Sequence, residues 1–244
     1  MAEEVYLYCL TRPEGRSAVE SIKSPVFCRE FHGILAVCAL EDSSEFTPGN
    51  LGELSWVGAR AAFHEQVVET VMTASTVVPV RFGAFFRSED SLEKFVRGNA
   101  ATIAGLLDSL CGCAEWSVKV FLDEPAVSKR FMKEAPAASP GRRYLLQRQI
   151  EEEAREKVNL FSAELLRSLE ADLSRSALGR ADLRLSDPSR NGERMVFHKG
   201  FLVAERNLPE FRIAIDRYRE RNGMRIELHG PWPPHHFCPN LIET

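Results

Sequence analysis

The sequence predicts an α+β fold built as two α+β domains, and three observations carry that prediction. Strand-like and helical segments run β-β-β-α-β-α-β and then α-β-β-α-β, which lacks the strict alternation of a doubly wound parallel sheet. Residues 124–143, "EPAVSKRFMKEAPAASPGRR", are rich in Pro, Ala and Ser and separate the two runs. The second run opens on the longest helical pattern and continues as strands and one helix. That domain therefore reads as a ferredoxin-like layout with its first strand missing or altered, opened by a long helix. The expected domains are 1–124 and 141–230, joined by a linker at 125–140 and followed by a tail, 231–244, that docks back on the protein.

Each element follows from its local pattern. "EVYLYCL" (4–10) is rich in aromatic and branched residues and reads as a strand. "PVFCREF" (25–31), "HG" and "ILAVCAL" (34–40) read as a hairpin, and "EDSSEFTPGN" (41–50) as a polar loop. Leu54, Val57, Ala61, Val68 and Met72 form one apolar stripe, predicting a helix over roughly 51–75. "TVVPVRFGAFF" (76–86) reads as extended, with Pro79 confining it to an edge or bulge. Ser88 and the acidic residues after it predict a capped helix over 88–110, and "EWSVKVFLD" (115–123) alternates as a strand.

Beyond the linker, Leu146, Ile150, Ala154, Val158, Phe161, Leu165, Leu169 and Leu173 keep helical spacing across roughly 144–175. "ADLRLS" (181–186) and "RMVFHKGFLVAE" (194–205) read as strands around the turn-rich "DPSRNGE" (187–193). Asn207 and Pro209 open a helix over 207–222 that Gly223 ends, and "MRIELHG" (224–230) is a last strand.

Composition narrows the function classes. The 244 residues are 44% apolar and 27% charged, which predicts an ordinary globular core. A net charge of -4 gives no global basic excess for nucleic acid, and the strands lack the paired aromatic signature of an RNA-binding sheet. No apolar run approaches the ~18 residues a membrane span needs. The start, "MAEEVYLYCL", is acidic before it is apolar, the reverse of a secretory signal, so a cytoplasmic location is expected. The six cysteines then read as reduced thiols, and "CGC" (111–113) lacks the spacing of a redox or zinc pair.

Motifs for chemistry are sparse. His64-Glu65 begins a zincin pattern, but Val68 stands where its second histidine belongs, so His64 reads as a satisfied, semi-buried side chain. Arg81-Phe82-Gly83 follows a strand-like run, and Arg81 reads as a structural ion pair beside a turn, with anion binding as the rival. No dinucleotide fingerprint, P-loop or nucleophile elbow occurs. The closing "GPWPPHHF" (230–237) offers three readings: a metal site, a polyproline ligand, or a stiff segment packing Trp232 and Phe237 onto its own protein. Adjacent histidines point different ways along an extended chain, which disfavours joint ligation by His235 and His236, so the stiff segment is preferred, with Trp232 as its anchor.

Several of these pieces together resemble the GvpL/GvpF family of gas vesicle proteins. They are "YLYCL", the Trp56–His64 helix, "VVPVRFGAFF", "VKVFL" (118–122), "GRRYLLQRQ" (141–149), "GFLV" (200–203) and "GPWPPHHF", in order along nearly the whole chain. "RFG" after "VP" and the terminal "GPWPP" are the more specific. Ala84 stands where the family has a small polar residue, and His235-His236 where it commonly has Tyr-Ser.

The resemblance implies an accessory protein needed to build the shell of a gas-filled organelle, or a minor component retained in it. It implies no reaction, no cofactor and no metal. The expected partners are the gas vesicle shell protein, which is small, very apolar and assembles by strand pairing, and other gas vesicle accessory proteins, rather than nucleic acid or membrane. Candidate structural or partner-contact residues are His64, Arg81, Phe82, Gly83, Tyr144 and Trp232. The candidate surface is the cleft between domains or an open strand edge near "VVPVRFG". The alternative function is a small-molecule-binding or enzymatic α+β protein with a pocket near Arg81 and His64.

Overall fold

The computed structural model describes residues 3–23, 25–132, 140–185, 193–219 and 223–242. The chain is α+β, with antiparallel strand pairs, and divides into two compact units: Met1–Glu115 with Pro231–Thr244, and Trp116–Gly230.

In the first unit, β1 (Glu4–Thr11) is central. It pairs antiparallel with β3 (Ile34–Glu41) on one side and with β4 (Val77–Pro79) and β5 (Phe85–Phe86) on the other. β2 (Phe27–Phe31) joins β3 as a hairpin, giving the order β2-β3-β1-β4. Residues 5–11 of β1 are all buried, which accounts for the near-continuous apolar run in place of strict alternation. Pro79 ends the short β4 at the limit of this order, where a missing N–H costs least.

Helices α1 (Arg16–Ser21), α2 (Pro48–Gly52), α3 (Leu54–Met72), α4 (Glu89–Gly98) and α5 (Ala100–Ser109) complete the unit. α3 buries Val67, Val68 and Val71 in one cluster with Tyr6, Tyr8, Val37 and Val77. Two differences from the sequence pattern have local causes. The 41–50 stretch is not all loop: Thr47 accepts a hydrogen bond from Asn50 N–H and, with Pro48 behind it, starts the short α2. The helix expected over 88–110 is two. Ser88 and Ser91 form a capping box for α4, but Asn99 adopts φ -110, ψ 8 and turns its amide back to the Phe95 carbonyl.

The second unit contains most of β6 (Cys113–Asp123), α6 (Glu124–Lys129), α7 (Pro140–Ser174), β7 (Gly179–Asp182), β8 (Glu193–Ala204), α8 (Leu208–Arg219) and most of β9 (Met224–Trp232), with strand order β7-β8-β6-β9. The α7 stripe buries Ala154, Val158, Leu165, Leu169 and Leu173. Phe201 of β8 meets Phe211 of α8 edge-on at 5.4 Å, and the Tyr218 hydroxyl donates to Asp172 at 2.7 Å, tying α8 to α7. Residues 133–139 of the expected linker, 186–192 spanning most of the expected loop, and 220–222 of the expected last helix lie outside the described residues.

Gly223 shows how closely this unit is packed. Its carbonyl accepts from Asp123 N–H at 2.9 Å, its φ is +84, and a Cβ there would stand 2.3 Å from Val127 Cγ2. Gly223→Ala therefore costs about 1–3 kcal/mol from backbone strain alone, plus the overlap with Val127. Urea unfolding should show the loss, and the double variant with Val127→Ala should recover the overlap part but not the strain.

Candidate functional site

The site grows from two residue series in the first unit. Tyr6 and Tyr8 occupy one face of β1, two residues apart. Trp56, Arg60 and His64 recur every four residues on α3 and so share a helical face. Where the series meet, rings pack edge to face: Tyr6 with Tyr8 at 4.8 Å, Tyr6 with His64 at 5.7 Å, and Phe46 with Trp56 at 5.1 Å. Phe82 closes the group, 5.6 Å from Phe46 and 5.9 Å from His64.

His64 is buried, and its hydrogen bonds fix its tautomer. Nε2 lies 3.1 Å from the Val80 carbonyl, which can only accept, so Nε2 carries the proton. Nδ1 therefore accepts from the Tyr6 hydroxyl at 2.7 Å, and the same hydroxyl accepts from Gly83 N–H at 3.2 Å. Burial draws the imidazole down to about 4, against the raising effect of its bond to Val80. Burial also pushes the Tyr6 hydroxyl far above its ordinary value. Both rings are thus neutral at physiological pH, and neither His64 nitrogen is left free for a ligand. Gly83 reaches its position with φ +87, which a side chain would resist.

Over this network lies a half-open cavity of about 200 Å³, walled by Tyr6, Tyr8, Phe46, Phe63 and Phe82 and flanked by Glu41, Ala59 and Arg60. The Arg60 guanidinium stacks 4.4 Å from the Trp56 ring and pairs with Glu45. Burial lifts Glu41 above the usual carboxylate range, with Arg60 opposing the shift and Glu45 adding to it.

The C-terminal segment belongs to the same unit. His235 Nε2 lies 2.9 Å from Glu65 of α3, and His236 Nδ1 lies 2.6 Å from the buried Glu115, whose other oxygen accepts from His236 N–H at 3.1 Å. The two rings go to separate carboxylates. Among the described residues no group of three or more His, Cys, Asp or Glu side chains is placed to hold a metal. Burial, with Glu115 adding, pushes the Cys238 thiol up to about 12. The expected anchor differs: Trp232 is 40% exposed, whereas Pro233 and Pro234 are buried. The prolines and paired histidines hold this stretch, and the indole at the end of β9 does not.

Of the residues singled out in the sequence, the structure brings His64, Phe82 and Gly83 together around Tyr6. Arg81 is exposed and makes no ion pair among the described residues. Neither Arg81 nor His64 lines the cavity. Tyr144 lies on α7 of the other unit, 60% exposed, its hydroxyl accepting from Arg148. Sequence reasoning missed Tyr6, Glu41, Phe46, Arg60, Glu65 and Glu115. The four-residue spacing of Trp56, Arg60 and His64 was a readable signal; the partnerships of Glu65 and Glu115 with histidines 170 and 121 residues away were not.

Fold and site define an α+β protein with antiparallel sheets and an aromatic cleft beside a histidine locked in internal hydrogen bonds. The family described as gas vesicle synthesis protein GvpL/GvpF matches residues 4–239, and the chain belongs to that family. Gas vesicle protein L of Streptomyces sp. (strain CB03234) is 27% identical over 250 residues, covering 96% of this chain and 92% of that protein. The crystal structure of GvpF from Anabaena sp. PCC7120 superposes with a TM-score of 0.68 at 19% identity, covering 99% of this chain and 98% of that one. GvpF from Microcystis aeruginosa gives 0.60, also at 19% identity, over 96% and 98%. Membership supports an accessory role in the gas vesicle system, and the family is not a known enzyme family. No helix among the described residues is long and apolar enough to cross a membrane.

Two predictions follow from the buried network. Tyr6→Phe keeps the ring but leaves His64 Nδ1 and Gly83 N–H unpaired, so it should lower unfolding free energy by about 1–3 kcal/mol in urea titrations. The histidine also links stability to pH. Its folded value is depressed to about 4, so its contribution is complete above the ordinary histidine value of about 6.5 and is lost as pH falls through 4. Between about pH 7 and about pH 5 it accounts for a loss of about 2 kcal/mol. In His64→Gln that part of the slope should vanish.

Proposed function

We propose that the protein binds subunits of the gas vesicle shell protein during assembly, alone or with other accessory proteins, and holds or delivers them to the growing shell. The work takes place in the cytoplasm at the forming vesicle, and the contact surface is the aromatic cleft of the first unit. One observation carries this reading. The cleft is half open, with Ala59, Arg60 and Phe63 of α3 in its wall, and the same unit leaves Leu51 of α2 and Leu54 at the start of α3 44% and 83% exposed. Open aromatic walls, and unburied leucines in the same unit, are apolar surface that gains by being covered by an apolar partner. A very apolar, strand-pairing shell subunit has a matching need, since its free edges and faces drive aggregation until covered.

Co-expression with the shell protein tests this. The wild-type chain should raise the soluble fraction of the shell protein and co-purify with it. Leu54→Asp should reduce the recovered complex about tenfold or more, with the melting temperature unchanged because that side chain has little packing to lose. Unaltered solubility together with no co-purification of the wild-type chain would sink the proposal.

A further inference from the structure

The aromatic cleft holds a carboxylate with no direct partner among the described residues. Glu41, the last residue of β3, lines the cavity, yet its carboxylate makes no hydrogen bond or ion pair among the described residues. Arg60 is the one cation among the lining residues, and it is committed to Glu45 and to the face of Trp56. Glu4 stands directly opposite Glu41 in the β1–β3 register, a like-charge pair that weakens the ladder. Glu41 and Glu45 thus both depend on the Arg60 guanidinium, which is paired with Glu45.

A half-buried, unpaired carboxylate is costly in a free protein and useful in one that awaits a cation. The walls point the same way. Aromatic faces attract ammonium and guanidinium groups, and Arg60 over Trp56 already displays that contact within the molecule. Size selects the source of the cation. About 200 Å³ is below the roughly 300–1,000 Å³ of pockets for drug-sized ligands, and suits a single side chain.

We propose that the cleft recognises a lysine or arginine side chain of the protein it binds. The charged head pairs with Glu41, and the methylene stem packs on Phe46 and Phe82. This rests on the proposed binding of a protein partner and adds the chemistry that partner must present: a basic residue beside an apolar segment. Glu41 supplies specificity, while the exposed leucines supply area.

The test uses the full chain and Glu41→Gln, which keeps shape and removes charge. N-acetyl-lysine amide and N-acetyl-arginine amide are titrated while the amide NMR shifts around Glu41 and Arg60 are followed. Saturable binding is expected in the wild type and about tenfold weaker binding in Glu41→Gln, with no saturation by N-acetyl-norleucine amide, which has a similar stem without the charge. The melting temperature of Glu41→Gln should equal or exceed that of the wild type, because the change relieves an unpaired charge. Equal binding of the norleucine amide, unchanged binding by Glu41→Gln, no saturation by either basic amide, or a less stable variant would each overturn the cation site. Co-expression separates the two proposals. If wild type and Glu41→Gln capture shell protein equally, the cation site fails and the carrier role stands. If the wild type captures none but binds the basic amides through Glu41, the carrier role fails and the cation site stands.

Discussion

A neutral, buried histidine is the constraint on which the first unit depends. His64 links α3 to β1 through Tyr6 and to the segment after β4 through the Val80 carbonyl, and Tyr6 in turn holds Gly83. Each donor has one acceptor, so the chain of bonds has a direction and a single satisfied arrangement. Protonation would put a donor on Nδ1 against the Tyr6 hydroxyl, whose own hydrogen would lose its acceptor, and the same burial that strengthens the bonds opposes the charge. Three chain segments separated by up to 77 residues are thereby fixed at one point, and the ring cluster over them inherits its geometry.

The fold was legible where burial leaves a periodic trace. β1, β3 and β8 are apolar or aromatic runs, and α7 repeats its leucines with helical spacing because one seam of it is buried. The breaks were less legible. Nothing in the apolar pattern of 88–110 announces the break at Asn99, whose side-chain amide joins its own backbone N–H on the Phe95 carbonyl while its φ and ψ leave the helical range. Short helices such as α1 and α2 carry too few residues to show a period.

The site was legible only in part, for a related reason. His64 reads as semi-buried because it stands on or beside an apolar stripe, and the glycine after Phe82 marks a turn. Arg60 and Trp56 share its helical face, a relation visible in spacing. Glu41 and Phe46 look like strand end and loop, and only tertiary structure turns them toward the same cavity. Trp232 misleads for the opposite reason: its large apolar area suggests an anchor, but at the end of β9 its ring stays partly in water while the two prolines after it are covered.

A protein that works by contact must keep a receptive apolar surface open without joining its own copies. On the proposed reading, the cleft of the first unit meets that need with charge. Glu45 and Arg60 hold each other at its rim, Glu41 stands unpaired among the rings, and Glu4 faces it across the ladder. Two copies meeting cleft to cleft would bring like charges together and desolvate both Glu41 side chains, a penalty that no apolar gain at a small cavity offsets easily. A partner bringing a cation removes that penalty. On the proposed reading, the charge that weakens the free unit is thus also what tells a correct partner from a second copy of the chain.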